Sequence, residues 1–125
     1  MYIGCGDGTF DAVIIQAMIS KYPEIKIDYT GVDIDEKSCQ KAMEELSLLK
    51  TKLNDNFTLR ILTMDMNSLT LKGEIPPCDL ALAMHALYYA RDIRKVITDV
   101  HTLLKADGKS PCYIIILPLL VLFML

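Results

Sequence analysis

The sequence lacks the cysteine pairs and basic clusters that mark several classes of small protein. Its four cysteines, Cys5, Cys39, Cys78 and Cys112, form no C-x-x-C pair and have no histidine at metal-ligand spacing. This disfavours a disulfide framework, predicts no metal site and suits a reducing, cytoplasmic setting. The net charge is −3 and no cluster of lysine and arginine offsets it, so we expect no nucleic-acid partner.

Targeting signals and low-complexity segments are also missing. The N-terminus has neither the basic region nor the apolar core that signal peptides carry. No internal repeat or linker divides the 125 residues, of which 52% are hydrophobic and 23% are charged. This composition excludes disorder as the default state and is sufficient for one small domain with a real core.

The apolar residues alternate between the period of strands and the longer period of helices. Strands are predicted over residues 1–3, 25–33, 57–65, 80–84 and 113–117. The run 80–84 is continuously apolar, which is typical of a strand covered on both faces.

Three amphipathic helices are predicted between these strands. Their apolar positions are Phe10, Val13, Ile14, Ala17 and Met18 in the first, Cys39, Ala42, Met43, Leu46 and Leu49 in the second, and Ile93, Val96, Ile97, Val100, Leu103 and Leu104 in the third. Pro23 marks the end of the first helix and Gly108 the end of the third. The alternation of strands and helices predicts an α/β fold with a doubly wound, mostly parallel sheet.

The segment that follows the first strand has a glycine at every second position, Gly4, Gly6 and Gly8. Glycine lets the backbone approach a ligand closely, and the helix that begins next offers N–H groups to an anionic group. The second strand ends in Asp33, whose carboxylate can accept hydrogen bonds from two ribose hydroxyls. These two strand ends lie side by side in a doubly wound sheet, so the pattern predicts a nucleotide-like ligand.

Other interpretations of these residues stay open at this point. The glycines could form only a tight turn, and Asp33 could cap the following helix, although Asp35 is better placed to do so. Asp65, at the end of the third strand, could simply cap a turn. A dinucleotide fingerprint needs a glycine where this sequence has Thr9, which disfavours a fragment of a nicotinamide (NAD)-dependent oxidoreductase.

Three motifs together resemble those of class I S-adenosylmethionine-dependent methyltransferases: the segments 3–8, 31–35 and 64–66. More narrowly, residues 85–93 and 101–104 are similar to the histamine N-methyltransferase family. The resemblance implies a Rossmann-like methyltransferase core that binds S-adenosylmethionine and transfers its methyl group to a small amine.

The resemblance also implies roles for individual residues. The cofactor-binding positions would be Gly4, Gly6, Gly8, Asp33, Asp65, Met66 and Met84. The glycines would border the methionyl part of the cofactor, and Asp33 would hold the ribose. Asp65 and Met66 would flank the adenine, and Met84 would line the cofactor floor. His85 would face the substrate and accept the proton of the amine, with Tyr88 as a further substrate contact.

The same resemblance implies a domain that is truncated at both ends. Residues 1–109 would form a partial cofactor-binding core, and residues 110–125 the fifth strand with an apolar tail. The longer first strand and the N-terminal helices of the family would be absent. A non-catalytic remnant that binds cofactor, or only pairs with a partner chain, is therefore the main alternative. The uncharged tail is shorter than the roughly 20 residues of a membrane span, which disfavours a membrane partner but leaves surface insertion open.

Overall fold

The strands and helices follow one another in the order that the apolar periodicity predicts. The structure is a computed structural model that describes residues 1–84, 86–104 and 113–117. The strands are β1 (Tyr2–Ile3), β2 (Ile27–Asp33), β3 (Phe57–Thr63), β4 (Leu80–Met84) and β5 (Tyr113–Leu117), and the helices are α1 (Thr9–Lys21), α2 (Glu36–Leu53) and α3 (Ile93–Leu103).

The strands form one sheet in the spatial order β3-β2-β1-β4-β5. All strand pairs among the described residues are parallel. The strand order reverses at β1, because β2 and β3 lie on one side of it and β4 and β5 on the other. This confirms the predicted doubly wound sheet and places the ends of β1 and β2 side by side at the reversal point.

Side chains of the sheet alternate between two faces, and helices cover both. One face carries Tyr2 and Tyr29 and packs against residues of α1 and α2. The other face carries Ile3 and Val32 and packs against residues of α3. The two residues of β1 are therefore buried from opposite sides, and β1 lies at the centre of the core.

The first helix occupies the predicted segment, but the predicted orientation of its apolar face is wrong. Phe10 and Val13 are 50% and 58% exposed, whereas Asp11 and Ile15 are buried. Apolar residues occur on all sides of this helix, so their spacing alone does not determine which side packs on the sheet. The Tyr29 hydroxyl donates a hydrogen bond to Asp11 and holds this polar side of the helix in the core.

The third helix ends before the predicted position. Leu104 caps it, since its N–H donates to the carbonyl of Val100, and Leu104 also forms an isolated bridge with Cys78. The predicted stop at Gly108, the predicted boundary near residue 109 and the apolar tail 118–125 lie outside the described residues. Within the described part of the chain, no helix combines the length and the apolar character that crossing a membrane requires.

Candidate functional site

A cleft of about 580 Å³ opens at the carboxyl ends of β1, β2 and β3. Its walls include Gly4, Val32, Asp33, Met64, Asp65 and Met66. Four of the positions predicted to bind a cofactor, Gly4, Asp33, Asp65 and Met66, therefore lie together. Ligands of doubly wound folds bind in the crevice beyond the carboxyl ends of the strands, which is where this cleft lies.

The glycine-rich turn has backbone conformations that favour glycine. Gly4, Gly6 and Gly8 have φ angles of 72°, 58° and 78°. A Cβ atom at Gly4 would lie 2.7 Å from the Cβ of Ala86, and one at Gly8 would lie 3.0 Å from the Cα of Ala42. These two glycines therefore permit close packing. A Cβ at Gly6 would meet nothing within 4 Å, so the backbone of Gly6 is open to an approaching ligand.

Asp33 joins the glycine-rich turn to the end of β2. Its Oδ2 accepts a hydrogen bond from the N–H of Gly6 at 2.9 Å, and its Oδ1 accepts one from the N–H of Asp35 at 2.9 Å. These bonds fix the carboxylate and leave it further lone pairs. Asp35 caps α2, since its Oδ2 accepts a hydrogen bond from the N–H of Ser38 at 3.0 Å. The alternative in which Asp33 is that cap is therefore wrong.

The start of α1 is less open to an anion than the sequence indicates. Gly8 precedes the helix in a left-handed conformation and offers no side-chain cap. The carboxylate of Asp7 instead accepts a hydrogen bond from the N–H of Thr9 at 3.0 Å, and this bond lowers the pKa of Asp7. The chain itself therefore satisfies one of the N–H groups at the start of α1.

Asp65 caps a turn, as the alternative interpretation predicts, and it also borders the cleft. Its Oδ1 accepts hydrogen bonds from the backbone N–H and the side-chain amide of Asn67, both at 2.8 Å. Its Oδ2 lies 3.0 Å from Nη2 of Arg91. The hydrogen bonds from Asn67 lower the pKa of Asp65, and the charge of Arg91 adds to the effect. Both carboxylate oxygens are thus engaged, and a ligand must share one of them or displace Arg91.

The other predicted site residues lie in different places. Met84 ends β4 and packs in the core with Tyr29, outside the walls of the cleft. Tyr88 is half exposed, and its ring centroid lies 4.3 Å from that of Tyr89. Tyr89, rather than Tyr88, lines the cleft. His85, the predicted proton acceptor, lies outside the described residues.

The cleft residues that are missing from the sequence prediction include three with polar side chains, Asn67, Tyr89 and Arg91. Asn67 had a local signal, because an asparagine two positions after Asp65 is typical of a turn. It also accepts a hydrogen bond from the N–H of Asp92 at 3.2 Å and thereby ties the cleft to the start of α3. Arg91 had no such signal, because its partner Asp65 lies 26 positions away in the sequence.

The parallel sheet, the glycine-rich turn and the acidic end of β2 define a nucleotide-type cofactor-binding domain. Sequence comparison narrows this class. Residues 1–110 match the methyltransferase domain family, and the chain therefore belongs to that family. A comparison with curated proteins gives no significant match.

Several solved structures share this fold. The carbon methyltransferase DszA aligns with a TM-score of 0.62 and 18% identity over 86% of this chain. The plantazolicin methyltransferase BpumL, crystallised with a pentazolic desmethylPZN analog and S-adenosylhomocysteine (SAH), aligns with a TM-score of 0.57 and 20% identity over 93% of this chain. The 4+2 cyclase SpnF aligns with a TM-score of 0.56 and 19% identity over 83% of this chain.

This chain spans only a part of those proteins. It covers 26% of the length of DszA, 37% of BpumL and 34% of SpnF. At these identities the likeness shows the fold alone. The presence of a cyclase beside two methyltransferases illustrates that one fold supports different reactions.

Proposed function

We propose that this chain is the cofactor-binding core of an S-adenosylmethionine-dependent methyltransferase. The observation that carries the proposal is the hydrogen bond from the N–H of Gly6 to Asp33. It holds a carboxylate of the kind that binds ribose against a backbone segment with open space beside it. Membership of the methyltransferase domain family and the SAH bound to BpumL support S-adenosylmethionine as the cofactor.

We propose one orientation of this cofactor in the cleft. Asp33 would accept hydrogen bonds from the two ribose hydroxyls through its remaining lone pairs. Gly4 and Gly6 would border the methionyl part, and Asp65 and Met66 would flank the adenine. Gly8 and Met84 would act indirectly, through the packing of α1 on α2 and of the core beneath the cleft. A cleft of about 580 Å³ lies within the range of volumes common for cofactor sites.

The protein would contribute mainly geometry to the reaction. S-adenosylmethionine supplies a methyl group on a positively charged sulfur, which is already a good leaving group. The residues around it need to align the acceptor about 3 Å from that methyl group and to exclude water. An amine attacks only in its neutral form, so a base must take its proton, and His85 is our candidate from the sequence.

A small amine, as in the histamine N-methyltransferase family, is the acceptor that we propose. Residues 85–93 carry the resemblance in sequence. Tyr88 and Tyr89 support it in structure, because they are 50% and 73% exposed near the cleft and aromatic faces attract cationic amines. We place the protein in the cytoplasm, where the thiols of Cys5 and Cys39 would stay reduced.

His85→Ala tests the proposed base in an active form of the enzyme. We expect turnover of the amine to fall about 100-fold, since general base catalysis contributes on that order. The affinity for SAH should stay unchanged. His101→Ala, on the exposed side of α3, is the matched control. Normal turnover by the His85 variant would assign the proton to another acceptor.

Calorimetric titration of the purified chain with SAH, with NAD as the control ligand, tests the proposal as a whole. We expect saturable binding of SAH and no binding of NAD. A folded chain that binds NAD, or neither ligand, would contradict the proposed cofactor. A turnover assay with histamine then separates methyl transfer from the second candidate function, cofactor binding without catalysis. That second function is favoured by the cleft walls, because most of the residues that line the cleft belong to the three motif segments 3–8, 31–35 and 64–66.

A further inference from the structure

The sheet has a free edge that is formed by internal segments of the chain. Among the described residues, β3 pairs with β2 on one side and with no strand on the other. β5, the last described strand, forms the opposite edge of the sheet, and β1 lies at its centre. The free edge of β3 is therefore remote from both the first and the last described strand.

β3 lacks the features by which edge strands avoid pairing with another chain. It is seven residues long and contains no proline, glycine or lysine. Its one charged residue, Arg60, donates a hydrogen bond to Thr30 of β2 at 3.5 Å and so leans away from the free edge. Leu59 and Ile61 are only partly buried. Long apolar edge strands with unpaired backbone groups are templates for a further strand.

α2 carries a stripe of exposed side chains above this edge. The Sγ of Cys39 lies 3.8 Å from the carbonyl oxygen of Leu62, so this side of the helix faces β3. Glu36, Met43 and Lys50 follow on the same side at intervals of seven residues. All three are exposed, Met43 to 39%. They therefore overhang the free edge of β3.

The charges of this stripe complement those of a second copy of the same chain. Glu36 and Lys50 lie at equal distances from Met43, and neither has an ion pair among the described residues. When two copies of α2 pack antiparallel about Met43, Glu36 of each copy faces Lys50 of the other. A symmetric interface is complementary to itself in this way, so a second copy fits the stripe without further requirements.

The dimensions of a continuous sheet also fit two copies. α2 packs on the face of the sheet that carries Tyr29 of β2 and Phe57 of β3. Antiparallel pairing of the two β3 strands would place the two α2 helices about two strand spacings apart, which is about 10 Å. Packed helices lie about 8–10 Å apart. The strand pair and the helix pair can therefore form together.

One register serves both pairs. α2 runs antiparallel to β3, and Met43 lies one turn after the contact of α2 with the end of β3, which places it above the middle of that strand. Pairing centred on Arg60 would bring two like charges directly opposite each other, which destabilises a strand pair. Pairing centred on Leu59 brings two leucines together and places each Arg60 opposite Thr58 of the second copy.

We propose that this chain forms a symmetric dimer in which the β3 strands pair antiparallel about Leu59 and the α2 helices pack about Met43. Ion pairs between Glu36 of each copy and Lys50 of the other fix the direction of the pairing. The dimer has one continuous sheet with five strands from each copy. Because the strands of the two copies run in opposite directions, the two clefts open at opposite edges and neither blocks the other.

Sedimentation equilibrium of the full chain and of charge-exchanged variants tests the proposal. We expect the parent chain to form a dimer. Glu36→Lys and Lys50→Glu should each raise the dissociation constant about tenfold or more, because each replaces both ion pairs by like charges. An equimolar mixture of these two variants should form dimers with about the parental affinity, since opposite charges then meet at both contacts. Lys52→Glu, in the same last turn of α2, is the matched control and should dimerise like the parent.

Cross-linking gives a second measurement, which does not depend on charge. Met43→Cys places one thiol of each copy beside the symmetry axis, and copper-catalysed oxidation by air should join the two copies by a disulfide. Leu48→Cys, at a position that is 64% exposed on another side of α2, is the control and should give much less cross-linked dimer.

Three results would overturn the proposal. A monomeric parent chain would leave the edge to another protein or to none. A dimer that Lys50→Glu does not weaken, or two charge variants that fail to pair in the mixture, would place the interface on a different surface.

Discussion

The two ends of the sheet differ in how their carboxylates are satisfied. At the carboxyl ends of the strands, both oxygens of Asp33 and both oxygens of Asp65 accept hydrogen bonds. At the amino ends, Asp11 accepts the hydroxyl of Tyr29 through one oxygen and has no partner for the other among the described residues. The carboxyl end is thus preorganised by hydrogen bonds within its own chain, whereas the amino end holds an acceptor that the described residues leave unsatisfied.

The origin of these bonds explains the contrast. Asp33 and Asp65 each accept the N–H of the residue two positions later, so the turn that ends the strand also orients the carboxylate. Asp11 and Tyr29 lie 18 positions apart and meet only when α1 packs on β2. The hydrogen bonds of Asp33 and Asp65 form when the turn forms. The hydrogen bond between Tyr29 and Asp11 forms only when the core has assembled.

Asp33→Ala should have the largest effect, because it should weaken the binding of SAH at the carboxyl end of the sheet and leave the amino end unchanged. In the proposed binding mode it removes the acceptor of two ribose hydroxyls, and each hydrogen bond to a charged group contributes about 1.5–3 kcal/mol. We expect the dissociation constant of SAH, measured by calorimetry, to rise about tenfold or more. Asp35→Ala is the control, because it removes a helix cap that contributes about 1 kcal/mol to folding but no cofactor contact. Unchanged binding by the Asp33 variant would exclude the ribose role.

Asp11→Asn should change the pH dependence of stability at the amino end. Burial raises the pKa of Asp11 from its ordinary 3.8 to about 6 in the folded chain. Folding therefore favours the protonated form, and this residue makes the chain less stable as pH rises from about 4 to 6. Asparagine stays neutral and still accepts the Tyr29 hydroxyl.

The free energy of unfolding of Asp11→Asn, measured by urea denaturation, should therefore exceed that of the parent chain at pH 7 by about 1–3 kcal/mol, since one pKa unit corresponds to about 1.4 kcal/mol. The difference should largely vanish at pH 4. Asp28→Asn, on the exposed side of β2, should show no such change. The same dependence on pH in the Asp11 variant and the parent would contradict the raised pKa.

Gly6→Ala should have a smaller effect on SAH binding. Compared with a control glycine, it distinguishes the cost of backbone strain from the loss of a cofactor contact. Gly73 offers a matched control, because its φ of 63° is close to the 58° of Gly6 and neither added Cβ would meet an atom within 4 Å. Both alanine variants should lower the free energy of unfolding by about 1–2 kcal/mol, the cost of the left-handed conformation. Calorimetry should detect weaker binding of SAH only for Gly6→Ala. Equal affinity for SAH in the two variants would show that Gly6 does not contact the cofactor.

Much of the fold was predictable from the sequence, because the apolar runs that form the strands are flanked by residues typical of turns. The predicted strands 80–84 and 113–117 match β4 and β5, and the strand that ends at Asp33 is β2. The orientation of α1 was not predictable from spacing, because apolar residues surround the helix. The buried side of α1 is held by the hydrogen bond that the hydroxyl of Tyr29, a residue of β2, donates to Asp11.

The residues of the candidate site also fall into two groups, those that local sequence identifies and those that only the tertiary fold brings to the cleft. Gly4, Asp33 and Asp65 stand at the ends of strands, so local sequence identifies them and the parallel sheet brings them together. Tyr89 and Arg91 enter the cleft from the segment after β4, and only the tertiary fold brings them beside Asp65. Most polar cleft residues near the end of their own strand were therefore predicted, Asn67 being the exception, and the residues that reach a distant strand were missed.

Arg91→Ala should give the smallest effect, in the direction opposite to Asp33→Ala. The Arg91 side chain is 77% exposed, so its ion pair with Asp65 should contribute less than about 1 kcal/mol to stability. Its removal frees Oδ2 of Asp65, which in the proposed binding mode flanks the adenine, and the affinity for SAH should rise about twofold, which corresponds to about 0.4 kcal/mol. Arg91→Lys keeps the charge and should behave like the parent chain. Weaker binding of SAH by Arg91→Ala would mean that Arg91 itself contacts the cofactor. Arg91 would then contribute to the binding site, and its ion pair with Asp65 would not compete with the ligand.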